Sequence, residues 1–356
     1  MKILTIIGAR PQFIKAAPLS RKIAETNGIT EILVHTGQHF DSNMSDIFFS
    51  EMKIPAPSYK LDIHSLGHGA MTGRMLEEIE KIILKEKPDF VLVYGDTNST
   101  LAGALAAKKL HVKVAHVEAG LRSFNMKMPE EVNRILTDRI SDFLFCPTDS
   151  AIENLSKEGF KDYPCQVIRT GDIMYDALKF FSNYAPDAES LSPITEQKKY
   201  TLCTIHRAEN TDNPDRLRAI VNALNTISKE VEIILPLHPR TRQFFETLNI
   251  VPNFKIIDPV GYLTMLGLLE NCSFVLTDSG GLQKEAYLKK KYCITMRDET
   301  EWIELVQHNV NFVAGANEDK IISYFNQIYN KPFEAKEGLY GNGNAAQEIV
   351  DVLLKS

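Results

Sequence analysis

Short runs of apolar, β-prone residues alternate with longer stretches of helical periodicity along the whole chain. Residues 2–7, 31–36, 89–94, 112–117 and 143–146 read as strands, and helices are expected from about residue 10 and over 73–86, 99–110, 130–140 and 150–158. The strand runs are apolar throughout, as strands covered on both faces are, so they predict a parallel sheet with helices on either side. The pattern then restarts with strands at 166–170, 201–205, 232–236, 255–257, 274–277 and 292–296, separated by helices at 214–229, 240–248 and 262–271. Residues 186–199 are the least hydrophobic stretch and read as a loop. The fold class this implies is α/β, with two Rossmann-like, doubly wound domains, 1–170 and 171–344. The break is expected near 169–172, and the terminal helix, 345–355, has a pattern that suits either domain.

One stretch stands out, Phe274 to Ala286, FVLTDSGGLQKEA. A buried strand runs into the turn Asp278-Ser279-Gly280-Gly281, and good helix formers follow. Strand, glycine turn and helix start make an anion cradle, because glycine lets the backbone approach closely and free N–H groups face the ligand. Ser279 adds a hydroxyl. Glu285, farther along the helix, is badly placed for phosphate and well placed for sugar hydroxyls such as those of ribose. A tight βα turn that holds nothing is the plainer alternative.

Composition narrows the classes. The 356 residues suffice for two domains, and 44% hydrophobic with 24% charged residues is a globular balance. The net charge of −6 carries no basic block, which argues against nucleic acid as a partner. Five scattered cysteines without a CxxC pair fit reduced thiols and a cytoplasmic setting. The N-terminal MKILTIIGARPQ is too short and too soon interrupted to be a membrane span or signal peptide, and no other stretch is long and apolar enough for a membrane.

Polar clusters fall just after strands, where open α/β sheets bind ligands. These are Gly8 to Lys15, Gly95-Asp96-Thr97, Glu118 to Arg122 with Pro129-Glu130-Glu131, and His206 to Glu209. Each has a structural alternative: Asp96 as a helix cap, Glu130 and Glu131 as partners of a helix dipole, His206 as a lone structural histidine. Together, several carboxylates and a histidine at strand ends, with a phosphate cradle, suit acid–base work on a phosphorylated ligand. Arg10 and Lys15 are candidates for an anion. Gly8-Ala9-Arg10-Pro11 is not GxGxxG and no Gly-Lys pair occurs, so NAD and ATP are not expected as cofactors. His64 and His68 have metal-like spacing but no third ligand nearby, and read as solvated loop residues.

GARPQFIK, YGDTNST, HVEAGLRS, MPEEVNR, HRAEN, DSGGLQKEA and MRDETEW, in this order, resemble the motifs of the non-hydrolysing UDP-N-acetylglucosamine 2-epimerases. The resemblance runs from end to end. It implies the B-type glycosyltransferase architecture, with UDP in a central cleft between the domains, a homodimer, and a last helix (345–356) returned to the N-terminal domain. It implies inversion at C2 of a UDP-2-acetamido sugar without a cofactor or metal, by elimination of UDP to a 2-acetamidoglucal and re-addition. Asp96, Glu118, Glu130 and His206 occupy the positions of the catalytic set. Arg10, Lys15, Ser279, Gly280 and Gly281 would serve the diphosphate, Glu285 the ribose, and the segment from Val260 to Met265 the uracil.

Three positions depart from the family pattern: Ala208 in HRAEN, Trp302 after Glu301, and the run Gln38 to Phe40, which lacks the following arginine. They bear on the family's activation by UDP-N-acetylglucosamine. With GARPQFIK and LHPRTR they resemble the branch acting on UDP-2,3-diacetamido-2,3-dideoxyglucuronate in surface polysaccharide synthesis. A retaining UDP-sugar glycosyltransferase and a non-enzymatic UDP-sugar sensor are the competing classes. The former shares the cradle but has less need of the crowded carboxylates.

Overall fold

The computed structural model describes residues 1–38, 55–195, 199–335 and 337–356. The chain forms two compact units, Met1–Phe180 with Gly338–Ser356, and Phe181–Glu337.

In the first unit seven strands, β1 (Lys2–Ile7), β2 (Thr30–His35), β3 (Tyr59–Lys60), β4 (Phe90–Tyr94), β5 (Lys113–Val117), β6 (Phe143–Cys146) and β7 (Gln166–Arg169), lie in the order β3-β2-β1-β4-β5-β6-β7. Every pairing is parallel, and at the centre Ile3, Leu4, Thr5 and Ile6 face Phe90, Val91, Leu92 and Val93. Both faces of these central strands are buried, which is why their sequences are apolar without alternation. On one face Leu4, Ile6, Val91 and Val93 pack with Met75, Ile79 and Ile83 of the helix His68–Glu86 and with the alanines of Asn98–Lys109. A Cβ on Gly103 would stand 3.0 Å from Ile6 and 3.2 Å from Val93, so small residues let that helix press onto the sheet.

The terminal helix Ala345–Leu354 belongs to this unit and packs on the first helix, Arg10–Ala24. Its N-terminus is held by Asp176, whose carboxylate accepts from Ala345 N at 3.1 Å and Ala346 N at 3.0 Å. Gly171 lets the returning chain approach. Its φ is +79°, and a Cβ there would meet the Tyr340 carbonyl at 3.0 Å.

The second unit repeats the plan with β8 (Tyr200–Thr204), β9 (Glu232–Pro236), β10 (Lys255–Ile257), β11 (Val275–Thr277), β12 (Cys293–Thr295) and β13 (Asn311–Val313), in the order β10-β9-β8-β11-β12-β13, again all parallel. Its core gathers Leu217, Ile220 and Leu224 of the helix Pro214–Ile227 with Ile233, Leu235, Leu276 and Ile294 of the sheet.

Most strand and helix boundaries agree with the periodicity to within a residue or two. Two short strands do not announce themselves: β3 has two residues, and β13 carries the polar Asn311. Asn311 sits in the sheet because Thr295 Oγ1 donates to its Oδ1 at 2.6 Å and its Nδ2 donates to Gln283 at 2.8 Å. The helix expected from residue 73 starts at His68, so His68 is a helical residue and not a loop one. No described helix is long and apolar enough to cross a membrane.

Candidate functional site

Each sheet reverses its strand order at one point, between β1 and β4 in the first unit and between β8 and β11 in the second. Chains leaving adjacent strands on opposite sides open a crevice there, at the carboxyl ends. The candidate residues lie at those places.

In the first unit the β1 turn is fixed by Gln12, whose Oε1 accepts from Gly8 N at 2.8 Å and Ala9 N at 3.0 Å. Its Nε2 donates to the Tyr94 carbonyl at 2.9 Å, tying the β1 turn to the end of β4. Arg10 opens the following helix, and its side chain lies outside the described residues. Lys15, one turn further, forms an ion pair with Glu118. Glu118 directly follows β5 in a left-handed conformation, φ 72°, and its side chain is 8% exposed. Gly95 lies beside the pair: a Cβ there would be 3.4 Å from both Glu118 Oε2 and Lys15 Nζ. Lys15 and Glu118 are therefore joined at the switch point.

Asp96 follows Gly95 and is paired with Arg134, while its main-chain carbonyl accepts from Asn133 Nδ2 at 2.9 Å. It does not cap the next helix, because Thr97 does so by accepting from Thr100 N. Arg134 also holds Glu131 at 2.7 Å. Glu131 is buried and accepts from Ser123 N at 3.0 Å and Phe124 N at 2.8 Å. Burial by itself would raise its carboxyl, but those two N–H groups and the Arg134 charge outweigh it and hold it below its ordinary value. Glu130, one residue earlier on the helix Pro129–Ile140, is exposed. The adjacent acidic pair thus divides: Glu131 shapes the 121–128 loop and Glu130 faces outward.

Beneath these groups lies a buried network that sequence reading missed. His116 Nδ1 lies 2.8 Å from Asp138, and its Nε2 lies 2.7 Å from the Gly95 carbonyl. Asp138 also accepts from Arg122 at 2.7 Å and Gly120 N at 3.1 Å. Arg122 in turn donates twice to Glu158, at 2.7 and 2.8 Å. Burial would lower the Arg122 guanidinium, but Glu158 and Asp138 hold it charged. His116 sits inside an apolar strand, and only its pairing with Asp138, 22 residues along the chain, reveals the role.

In the second unit His206 follows β8, with its side chain half exposed. Its Nδ1 lies 2.9 Å from Asp278 Oδ1. Asp278, fully buried at the end of β11, also accepts from His206 N at 3.0 Å, Arg207 N at 3.0 Å and Asn210 Nδ2 at 3.2 Å. Burial would raise Asp278, and its bonds to His206 and Arg207 overcome that and keep it below the ordinary carboxylate value. An ionised Asp278 fixes the proton on His206 Nδ1 and leaves Nε2 as the nitrogen facing outward.

The glycine cradle is a helix start: Ser279 is the N-cap of Gly280–Leu288, its hydroxyl accepting from Leu282 N. The first N–H groups of that helix have no acceptor within it. A Cβ on Gly280 would lie 3.6 Å from Arg297 and 3.8 Å from Arg207, so two guanidiniums border the turn. A Cβ on Gly281 would meet nothing within 4 Å. Arg297 is set by Glu301 through bonds of 3.0 and 3.1 Å. Trp302 donates its indole N–H to the Gly280 carbonyl at 2.8 Å, and Lys284 stands 4.4 Å over its ring, so this departure from the family pattern packs under the cradle. Ala208 is the exposed first residue of a short helix, Ala208–Thr211, whose Asn210 and Thr211 are buried. Of the third departure, Gln38 accepts from Ser99 N at 3.0 Å, while His39 and Phe40 lie outside the described residues. Glu285 is half-buried on the cradle helix. Val260 and Met265 are half-buried around the start of the helix Tyr262–Asn271. Among the described residues no group of three or more His, Cys, Asp and Glu is arranged to hold a metal ion.

Two doubly wound α/β units, one with paired acidic and basic side chains at its switch point and the other with a histidine beside a helix-start anion cradle, define a protein of the B-type glycosyltransferase-like class. A sequence profile described as UDP-N-acetylglucosamine 2-epimerase matches residues 21–354. The chain is 57% identical, over all of both chains, to the UDP-2,3-diacetamido-2,3-dideoxy-D-glucuronate 2-epimerase of Pseudomonas aeruginosa. Among solved structures it is similar to the Methanocaldococcus jannaschii UDP-GlcNAc 2-epimerase in complex with UDP-GlcNAc and UDP, with 43% identity, TM-score 0.84 and full coverage of both chains. It is also similar to the Neisseria meningitidis UDP-GlcNAc 2-epimerase bound to UDP-GlcNAc, with 32% identity, TM-score 0.89 and full coverage of both. The chain belongs to the UDP-N-acetylglucosamine 2-epimerase family.

Proposed function

We propose that this chain is a non-hydrolysing UDP-sugar 2-epimerase, an isomerase that inverts C2 of a UDP-2-acetamido sugar. The observation that carries the reading is the full-length 57% identity to an enzyme named for that reaction. The same likeness favours UDP-2,3-diacetamido-2,3-dideoxyglucuronate as the substrate over UDP-N-acetylglucosamine.

The chemistry follows from what C2 inversion requires. A base removes the C2 proton, and the C2–H electron pair becomes the C1–C2 double bond. The C1–O bond breaks, and its electrons leave with the UDP β-phosphate oxygen. The cycle closes when a proton arrives on the opposite face of C2 and UDP re-adds at C1. No electron is gained or lost overall, so the reaction calls for no redox cofactor.

The C2 hydrogen is weakly acidic, so the reaction needs close, positioned carboxylates and a stabilised leaving group. Asp96, Glu118 and Glu130 are the proposed proton carriers, each with a different setting: Asp96 against Arg134, Glu118 against Lys15, and Glu130 in solvent. His206, its tautomer set by Asp278, and the Ser279-Gly280-Gly281 helix start are proposed to take the charge of the departing diphosphate, with Arg10 as a further donor. Lys15 is proposed to act at the same anionic end, Glu285 on the ribose, and Val260 to Met265 on the uracil. A homodimer in the cytoplasm completes the proposal, the free cysteines suiting a reducing compartment. Light scattering near twice 40.1 kDa would support the dimer.

Proton NMR in deuterated buffer, with no acceptor and no added cofactor, tests the reaction. The expected result is a C2-epimeric UDP-sugar carrying deuterium at C2, faster with the diacetamido uronate than with UDP-N-acetylglucosamine. No exchange here, with glycosyl transfer once an acceptor is supplied, would identify a transferase. Binding with no exchange on either sugar would leave a sensor.

A further inference from the structure

The first unit holds a cavity of about 430 Å³, broadly open to solvent, that none of the proposed catalytic groups lines. Among the described residues its two ionisable lining side chains are Lys127 and His68, and no carboxylate lines it. The amides of Asn98 and Asn133, both more than nine-tenths buried, face it, and Met126 and Val132 give it an apolar wall. Asn98 Nδ2 lies 3.2 Å from His68 Nδ1. An amide donating there leaves the imidazole proton on Nε2, a donor. Asn133 Nδ2 donates both to Asn98 Oδ1 at 3.2 Å and to the Asp96 carbonyl at 2.9 Å. One hydrogen-bonded chain therefore runs from the cavity wall to the backbone of Asp96.

Three helices of twelve residues or more start at this cavity: His68–Glu86, Asn98–Lys109 and Pro129–Ile140. The first and third have Gly67 and Met128 as N-caps, with no side-chain cap bond. The leading N–H groups of the first helix and the positive ends of the first two dipoles add to the lysine. The third helix, by contrast, begins with Pro129, which has no N–H, and carries Glu130 and Glu131 in its first turn. A site with a cation, neutral donors, an apolar wall and no carboxylate among its described lining residues suits an oxyanion attached to a partly apolar group.

We propose that this cavity receives the carboxylate at C6 of the substrate sugar, with Lys127 and His68 as its specificity-determining residues and Met126 and Val132 against an acetamido methyl. The proposal rests on the reading of the chain as a UDP-sugar 2-epimerase, and it explains how a uronate would be preferred over a neutral sugar. The link through Asn133 sets the carboxylate end of the sugar relative to Asp96.

Calorimetry tests it with three ligands: UDP-2,3-diacetamido-2,3-dideoxyglucuronate, the same nucleotide sugar with a C6 hydroxyl, and UDP. The wild-type protein is expected to bind the uronate more tightly than the neutral analogue. Lys127→Met should weaken the uronate about tenfold and leave the neutral analogue and UDP within twofold, and His68→Gln should act in the same direction. Lys127 is exposed on a loop, so the variant does not endanger the fold. Equal losses on both sugars, no loss on either, or no binding of the uronate by the wild-type protein would overturn the assignment. A Lys127 dependence of UDP alone would move the anion to the diphosphate and overturn it as well. Deuterium exchange at C2 separates the two claims. Lys127-dependent uronate binding without exchange would defeat the epimerase reading and leave the anion site standing, and exchange with Lys127-independent binding would do the reverse.

Discussion

Asp96 and His206 differ in what surrounds them, and that difference predicts how their variants fail. Asp96 is held by Arg134 and His206 by Asp278, each through one principal partner. Asp96→Asn keeps the shape and removes the charge, so UDP binding should be retained while C2 exchange falls by about 10²–10⁴-fold. His206→Ala should do the same. NMR exchange and calorimetry on the same samples check both, and unchanged turnover would remove the residue from the catalytic set. Glu285→Gln keeps the volume of a half-buried side chain and removes its charge. Its expected effect is weaker UDP binding, roughly tenfold by calorimetry, with exchange at saturating substrate nearly unchanged.

At the scale of elements, the turn after β1 is the tightest joint in the first unit. A Cβ on Gly8 would collide with the hydroxyls of Thr36 and Ser99, which are bonded to each other at 2.8 Å. Gly8→Ala should therefore cost about 1–3 kcal/mol, as overpacking does, read as a lower urea midpoint with an unchanged slope. The glycine is needed because the end of β1, the end of β2 and the helix Asn98–Lys109 all converge there. The cradle shows the same logic with the opposite purpose. Gly281 has open space above it, room that suits a ligand rather than a neighbouring element.

For the whole molecule, acid should act on both units through buried and half-buried carboxylates. Glu131 in the first unit and Asp278 and Glu301 in the second are each held below their ordinary values of 4.5, 3.8 and 4.5. A depressed folded value means that stability is fully present above the unfolded value and is lost as pH falls through the folded one. Glu31 and Asp176, raised by burial, act in the opposite sense, so the depressed set is read as a decline of the urea midpoint below about pH 5, once the raised pair is protonated. Asp278→Asn should flatten part of that decline, and a midpoint that rises on acidification in that range would contradict the account. Cysteine reactivity reports on the same cores. Cys146, Cys203, Cys272 and Cys293 are buried, and burial pushes the Cys272 and Cys293 thiols up to about 12. A thiol-disulfide reagent at neutral pH should titrate about one thiol in the native protein, Cys165, and all five in urea.

Sequence by itself determined the two-unit α/β plan, because strands buried on both faces must be apolar throughout and helices must alternate with them. It also placed Asp96, Glu118, His206 and the Ser279 turn directly after strands, because the apolar runs end at those residues. Tertiary structure decided the partners. Glu131 rather than Glu130 is the buried carboxylate, because Arg134 and two loop N–H groups meet only one face of that helix. Asp278 orients His206, and His116 joins Asp138 to Gly95, across separations that no local pattern encodes. The cavity at Lys127 likewise exists only where three helices, distant in sequence, begin at one place. Periodicity reports burial along one element, whereas a site is made by side chains from several, and their distances are fixed only when the sheets form.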